Sequence, residues 1–309
     1  MWLFFCISTT LLWGVAELFY KKGAHPDEKY AHLKTAAIVG IVMGLHACFM
    51  LLTTDMGYDP INIIYYLPVS LCYIVSMALS YFGMRFIEES ISDPIENTSG
   101  AICAIFSLVF LGLPLGETNE DIALKLVAIA MITVGILGVG FLERTGATDR
   151  RKKLGKTMAV VAFAMPFCYA ILDALGTMLD VVYLDIETSP LANLTEETIE
   201  NVANTSYELT FLIVAIILII FMRTKHVKME IPKQKDKIIA AICETAGQFT
   251  YVYALSDAGA IAAPILSSVC IVSLLLSRIF LKEKLTWLQY VFIAVIIAGI
   301  LIIATVEGV

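Results

Sequence analysis

Three carboxylates stand inside long apolar runs, where each needs a chemical reason: Glu17, Asp173 and Glu244. A charge at the centre of a bilayer costs about 2.5–3.5 kcal/mol on insertion scales. An acid held there binds a cation or a proton, or is neutralised by a local partner. Glu244 has no basic residue three or four positions away, and Gln248 and Tyr251 follow it at +4 and +7 on one helical stripe. Such a stripe must face protein or water rather than lipid, and its alternative role is interhelical hydrogen bonding. Glu17 follows Trp13 by one turn, so an aromatic wall can stand beside the carboxylate. Its alternative is an ion pair with Lys21 at i+4. Asp173 follows Tyr169 by one turn in the same way. Asp180, further along, reads as solvated near the surface.

No Lys or Arg lies deep in any of these runs. Acids without buried bases suit a cationic or zwitterionic ligand, or protons. Phosphate esters and nucleotide sugars call instead for Arg or Lys clamps.

The elements that must carry these residues are membrane helices. The 309 residues are 59% hydrophobic and only 16% charged, with a mean hydropathy of +0.83. A soluble domain is about 45–50% apolar and about 25% charged. A spanning helix needs about 20 apolar residues. Spans are expected at 1–20, 34–53, 61–84, 94–113, 122–142, 157–179, 208–222, 238–256, 260–281 and 286–305, the seventh being short enough to begin earlier. The first is read as a retained span rather than a signal peptide, because no basic segment or small-residue cleavage site accompanies it. The fold class expected is an all-α membrane protein of ten transmembrane helices.

Charge sorting supports that count. Of the 21 Lys and Arg, all but Lys125 follow odd-numbered spans, including the basic run from Arg144 to Lys156. The positive-inside rule assigns those loops to the cytoplasm. Both termini and the acidic stretch 185–207, with Glu208 at its border, are then expected outside. Asn193 and Asn204 head sequons there, with no functional weight attached.

An internal repeat is also expected. At an offset of 170 residues, span 4 overlays span 9: Pro94 meets Pro264, Ile95 meets Ile265 and Ser107 meets Ser277. Upstream, Tyr81 meets Tyr251, which adds Tyr81 to the candidate substrate-binding residues. At an offset of 156, Trp13 meets Tyr169 and Glu17 meets Asp173. Five spans per half is an odd number, so the two five-helix repeats are inverted. The boundaries expected are 1–143 for the first repeat, 144–156 for a basic linker and 157–309 for the second, with an outer loop at 184–207.

Other polar residues read more plainly. Asp93-Pro94-Ile95-Glu96 has the pattern of N-cap, N1 proline and N3 acid opening span 4, with Asn97 and Thr98 one residue deeper. His46 reads as a hydrogen-bonded structural residue. Gly40 and Gly44, and Gly135, Gly138 and Gly140, read as close-packing positions. The seven cysteines lie in apolar runs without CxxC spacing and read as small buried residues. No metal, cofactor or nucleic-acid partner is implied, and no HExxH, GxSxG or paired His–Asp spacing points to an enzyme.

Certain blocks resemble a known family. They are Leu12-Trp13-Gly14 with Lys21-Lys22-Gly23, Leu115-Gly116-Glu117, Ala263-Pro264-Ile265, the run from Phe280 to Thr286, Gln289, and Ala298 to Ile303. Together they are similar to the drug/metabolite transporter superfamily in its ten-helix EamA-type form. The last four spans also resemble the four-helix small multidrug resistance proteins, whose first-helix Glu is similar to Glu17. The resemblance implies secondary transport of a small organic molecule around a central cavity between inverted repeats. Together with the acids, it leads to the expectation of a cationic, amine or amino-acid-like substrate, exchanged for protons or moved alone, in a multi-pass protein of the plasma membrane. That family is usually drawn with cytoplasmic termini, whereas the charge sorting expects them outside. A non-transporting scaffold or lipid-handling protein, or a membrane-embedded enzyme, are the alternatives.

Overall fold

The computed structural model describes residues 1–23, 28–83, 86, 89–112, 118–143, 156–280 and 286–306, and these are all-helical, with no strand among them. Residues 144–155 of the basic linker, Arg85, the Leu115-Gly116-Glu117 block, residues 281–285 and the side chain of Lys21 lie outside the described residues. With no water in the hydrocarbon to satisfy backbone groups, an apolar chain closes its hydrogen bonds within each segment, which makes it helical.

The helices are α1 (Trp2–Gly23), α2 (Ala31–Thr53), α3 (Asn62–Tyr65), α4 (Leu67–Gly83), α5 (Glu89–Glu96), α6 (Ser99–Phe106), α7 (Asn119–Glu143), α8 (Lys156–Tyr183), α9 (Ile199–Thr224), α10 (Lys235–Ala258), α11 (Ala262–Leu266), α12 (Val269–Phe280) and α13 (Trp287–Val306). Eight stretches are long and apolar enough to cross a membrane, and two shorter apolar helices, α4 and α12, stand where the third and ninth spans were expected. Outward-facing side chains such as Phe4, Leu45, Phe110, Phe141, Ile217 and Leu301 are apolar and exposed, as a lipid-facing surface requires.

Packing is chiefly pairwise: α1 on α10, α2 on α9, α4 on α8, α7 on α13, and α6 on α8 and α11. Small residues set the closest approaches. Gly40 meets the Phe211 carbonyl, Gly44 meets Leu212, and Gly135 and Gly138 meet Ile296 and Phe292. The tightest is Gly100, where an added Cβ would stand 2.2 Å from Ser267 Oγ and 2.3 Å from the Ala263 carbonyl oxygen.

Several expectations change. The seventh span begins at Ile199, so the outer loop ends at residue 198 and not at 207. Its first turns are polar, but Asn204, Thr205, Ser206 and Glu208 are buried inside the bundle, and that is why hydropathy placed the start too late. The Asn204 sequon is therefore enclosed. Pro94 lies inside α5 rather than at its N1 position, because the helix already starts at Glu89. Of the cysteines, Cys6, Cys103 and Cys270 are buried, but Cys48 and Cys168 are exposed on the outer surface of the bundle.

The α5–α6 pair breaks at Asn97-Thr98, and the α11–α12 pair breaks at Ser267-Ser268. These breaks stand 170 residues apart, and their hydrogen bonds match. Thr98 Oγ1 donates to the Ile95 carbonyl at 2.7 Å, and Ser268 Oγ to the Ile265 carbonyl at 2.5 Å. The amide of Asn97 donates to the Asp93 carbonyl at 2.8 Å, and that of Ser267 to the Ala263 carbonyl at 3.0 Å. The amide of Gly100 then donates to Ser267 Oγ at 3.0 Å, joining the two breaks where they cross.

Candidate functional site

The crossing of the two broken helices forms one wall of an interior cavity of about 140 Å³. Acids reach it from four elements: Glu17 on α1, Asp93 and Glu96 on α5, Asp173 on α8 and Glu244 on α10. Among the described residues, no Lys, Arg or His lines it. Trp13, Tyr169, Gln248 and Tyr251 also face it, so seven of the eight candidates from the sequence border one space. Tyr81 does not. Its hydroxyl donates to Tyr20 at 3.2 Å, and the two rings meet at a tilt with centroids 5.5 Å apart.

The wall on the α1–α10 side is built by close contact. Gly247 lets the Trp13 ring lie against α10, since a Cβ there would stand 2.4 Å from Trp13 Cδ1. The indole Nε1–H donates to the Glu244 carbonyl at 3.3 Å, and the ring meets Tyr251 at 5.3 Å. On the opposite wall Ser80 donates to Glu96 at 2.8 Å, and Glu96 is only 9% exposed. It was read as a capping acid, but the earlier start of α5 carries it to the helix end, beside the cavity. Ser99 and Asp173 also line the cavity.

The end of the cavity toward Tyr183 and Ala258 is closed by a network joining Tyr251 and Asp180 to Tyr66, Tyr73 and Thr177, which the sequence reading did not single out. Tyr73 and Tyr251 hydroxyls meet at 2.6 Å, and each lies 3.2 Å from Thr177 Oγ1. Tyr73 donates to Asp180 at 2.9 Å, and Tyr66 donates to its other oxygen. Asp180 is 0% exposed, which corrects the expectation of a solvated residue. α8 continues beyond it to Tyr183, and the tyrosine hydroxyls supply the donors that make burial tolerable. Tyr73 was passed over because a tyrosine in an apolar run looks like any other large core residue, and Tyr207 because its polar surroundings assigned it to the outer loop. Their spacing from Tyr66 and Thr210 carries no distinctive signal.

Beyond this plug lies a larger cavity of about 1180 Å³, edged by Asp121, Asp185, Glu196, Glu200 and Lys125. Away from both cavities, His46 Nδ1 lies 2.8 Å from both oxygens of Glu208. That pairing agrees with the structural reading of His46. Among the described residues, no cluster of three or more His, Cys, Asp or Glu is arranged to hold a metal.

Residues 193–305 match the EamA-like transporter family. No curated protein matches the chain. The fold is similar to that of a solved crystal structure with a TM-score of 0.69 at 12% identity, covering 97% of this chain and 94% of the other. At that identity the likeness concerns the fold alone. The family's members are transporters, which brings with it a small-molecule substrate and a lipid bilayer. The chain is an integral, multi-pass membrane protein, and its residues 193–305 match the EamA-like transporter family, which supports the drug/metabolite transporter superfamily.

Proposed function

We propose that the protein is a secondary transporter that moves a small cationic, amine or amino-acid-like metabolite by alternating access between two inverted five-helix repeats. The observation that carries this reading is the cavity lined by five carboxylates and, among the described residues, no Lys, Arg or His. Its volume of about 140 Å³ is close to the roughly 150 Å³ of cavities that hold benzene. That favours a small metabolite over a large drug. Aromatic faces of Trp13, Tyr169 and Tyr251 offer a cation further attraction.

The repeat is supported by packing and by the matched breaks. Exchanging the halves turns the α1–α10 pairing into the α8–α4 pairing and the α1–α12 pairing into the α8–α6 pairing, while α2–α9 and α7–α13 map onto themselves. Under the same exchange Glu17 and Asp173 are counterparts, and both border the cavity. Discontinuous helices in corresponding positions of two repeats are where transporters of several folds hold their ligands.

In this reading the basic ends of the helices are cytoplasmic and the acidic vestibule at Asp121, Asp185, Glu196 and Glu200 faces outside. The Tyr66–Tyr73–Thr177–Asp180–Tyr251 network is the closed outer gate, joining α4, α8 and α10, with Tyr66 just ahead of α4. Its hydrogen bonds contribute about 1 kcal/mol each, so substrate binding can open them. The cavity acids exchange a proton for the cation, which gives antiport. Thermal stabilisation of the purified protein tests the ligand class, since a ligand that binds only the native state raises its stability. Amines should stabilise the wild type and lose that effect in Glu244→Gln. Stabilisation by anionic or neutral compounds alone, equal in the variant, would overturn the reading.

A further inference from the structure

Gln248 is 7% exposed and borders the cavity, and among the described residues its amide makes no hydrogen bond. A side-chain amide carries two N–H donors and an acceptor oxygen, and a buried one is ordinarily paired. Its neighbours are already committed. Trp13 Nε1 is engaged by the Glu244 carbonyl, Tyr251 by Tyr73 and Thr177, and Ser267 Oγ by the Gly100 amide. Glu244, one turn before Gln248, offers a carboxylate about 6 Å away along the axis. A bare alkylammonium or quaternary ion would satisfy that acid and leave the amide of Gln248 unpaired.

The second broken helix adds the sign of the missing partner. The N-terminal end of α12 opens on the cavity at Val269, and a helix N-terminus favours negative charge. The first break brings Asp93 and Glu96 to the cavity, whereas the second brings Ala263, Leu266 and Ser267, without an acid. An anionic group of the ligand therefore finds its complement on the α12 side.

We infer that Gln248 is a specificity-determining residue that donates to a carboxylate on the substrate, so that the substrate is a small zwitterionic amino acid and not a simple amine. The ammonium lies among Glu17, Asp173 and Glu244, and the carboxylate between the Gln248 amide and the start of α12. This rests on the acidic-cavity reading above. A site built to hydrogen-bond a substrate group rejects the analogue lacking it far more strongly than a site reading only apolar bulk.

The test is calorimetric titration of the purified full chain with matched probes: alanine against isopropylamine, and proline against pyrrolidine. Each amine lacks the carboxylate of its partner. The amino acid should bind at least about tenfold more tightly in the wild type, and the ratio should fall toward one in Gln248→Leu. Equal or tighter binding of the amines to the wild type would overturn the inference and leave the acidic-cavity reading standing. Binding of neither probe class, with binding of neutral or anionic solutes instead, would overturn both. The wild-type ratio decides even where the variant fails to fold.

Discussion

The interruption at Asn97-Thr98 and the one at Ser267-Ser268 are built alike and furnished differently. Both stop a helix, and both turn a hydroxyl back onto the carbonyl three residues earlier. Yet the first brings Asp93 and Glu96 to the cavity, and the second brings Ala263, Leu266 and Ser267. The other chemistry is distributed just as unevenly. Glu17 has its counterpart in Asp173, but Glu244 and Gln248 meet Ile74 and Ala78 at the offset of 170. The two breaks match in their backbone and hydroxyl bonds, and the side chains around one of them are acidic. A substrate with two different ends needs such a site, because a symmetric cavity could not tell its ends apart.

The largest effect should come from breaking the crossing itself. Gly100→Val would drive a side chain into Ser267 and the Ala263 carbonyl, where even a Cβ has only 2.2–2.3 Å. Overpacking of this kind costs about 1–3 kcal/mol or more. The expected result is a protein that melts far lower or fails to accumulate, and a normal melting curve in detergent would contradict the described crossing.

Glu96→Ala should come next. It removes the acceptor of the buried Ser80 hydroxyl, at a cost of about 1–3 kcal/mol, and takes one charge from the cavity. Weakened amine binding together with lost stability is expected. Ser267→Ala, at the second break, should weaken amine binding much less. Equal losses of affinity in both variants would erase the contrast drawn between the two breaks.

The gate supplies a third test. Tyr73→Phe and Asp180→Asn each remove part of the network linking α4, α8 and α10. A cysteine introduced at Leu266, on the cavity wall, should then react severalfold faster with a membrane-impermeant thiol reagent added from outside. An unchanged rate in both variants would remove the network from the path. The smallest effects are expected from Thr98→Val and Ser268→Ala, about 0.5–1.5 kcal/mol each. The two losses should be similar, since the bonds are equivalent, and thermal melts compare them directly.

How much of this was legible follows from the physics of each feature. Membrane helices announce themselves through long apolar runs, so element positions were readable from composition alone. The Pro94/Pro264 offset marked the two breaks as related, but not as breaks. Asp93-Pro94-Ile95-Glu96 has the grammar of a helix start, and only the tertiary structure reveals that α5 begins before it. Seven of eight candidate residues border one cavity because a buried acid or amide must face something polar. Tyr81 was drawn in by its match to Tyr251, yet it packs on Tyr20, since a repeat preserves backbone position better than side-chain environment. Asp180 and Glu208 were misjudged for one reason. Each lies near the end of an apolar run, where hydropathy cannot separate a solvated acid from one held by Tyr66 and Tyr73, or by His46.

The central claim is that an acidic cavity carries a small cationic or zwitterionic substrate across the membrane. Uptake of labelled alanine, proline and their decarboxylated amines into proteoliposomes, for the wild type and Glu244→Gln, tests it most directly. The account predicts saturable uptake of at least one of these solutes by the wild type, reduced at least about tenfold in the variant, the order expected when a buried charge partner is lost. Uptake equal in the two proteins, or saturable uptake of anionic solutes alone, would contradict it.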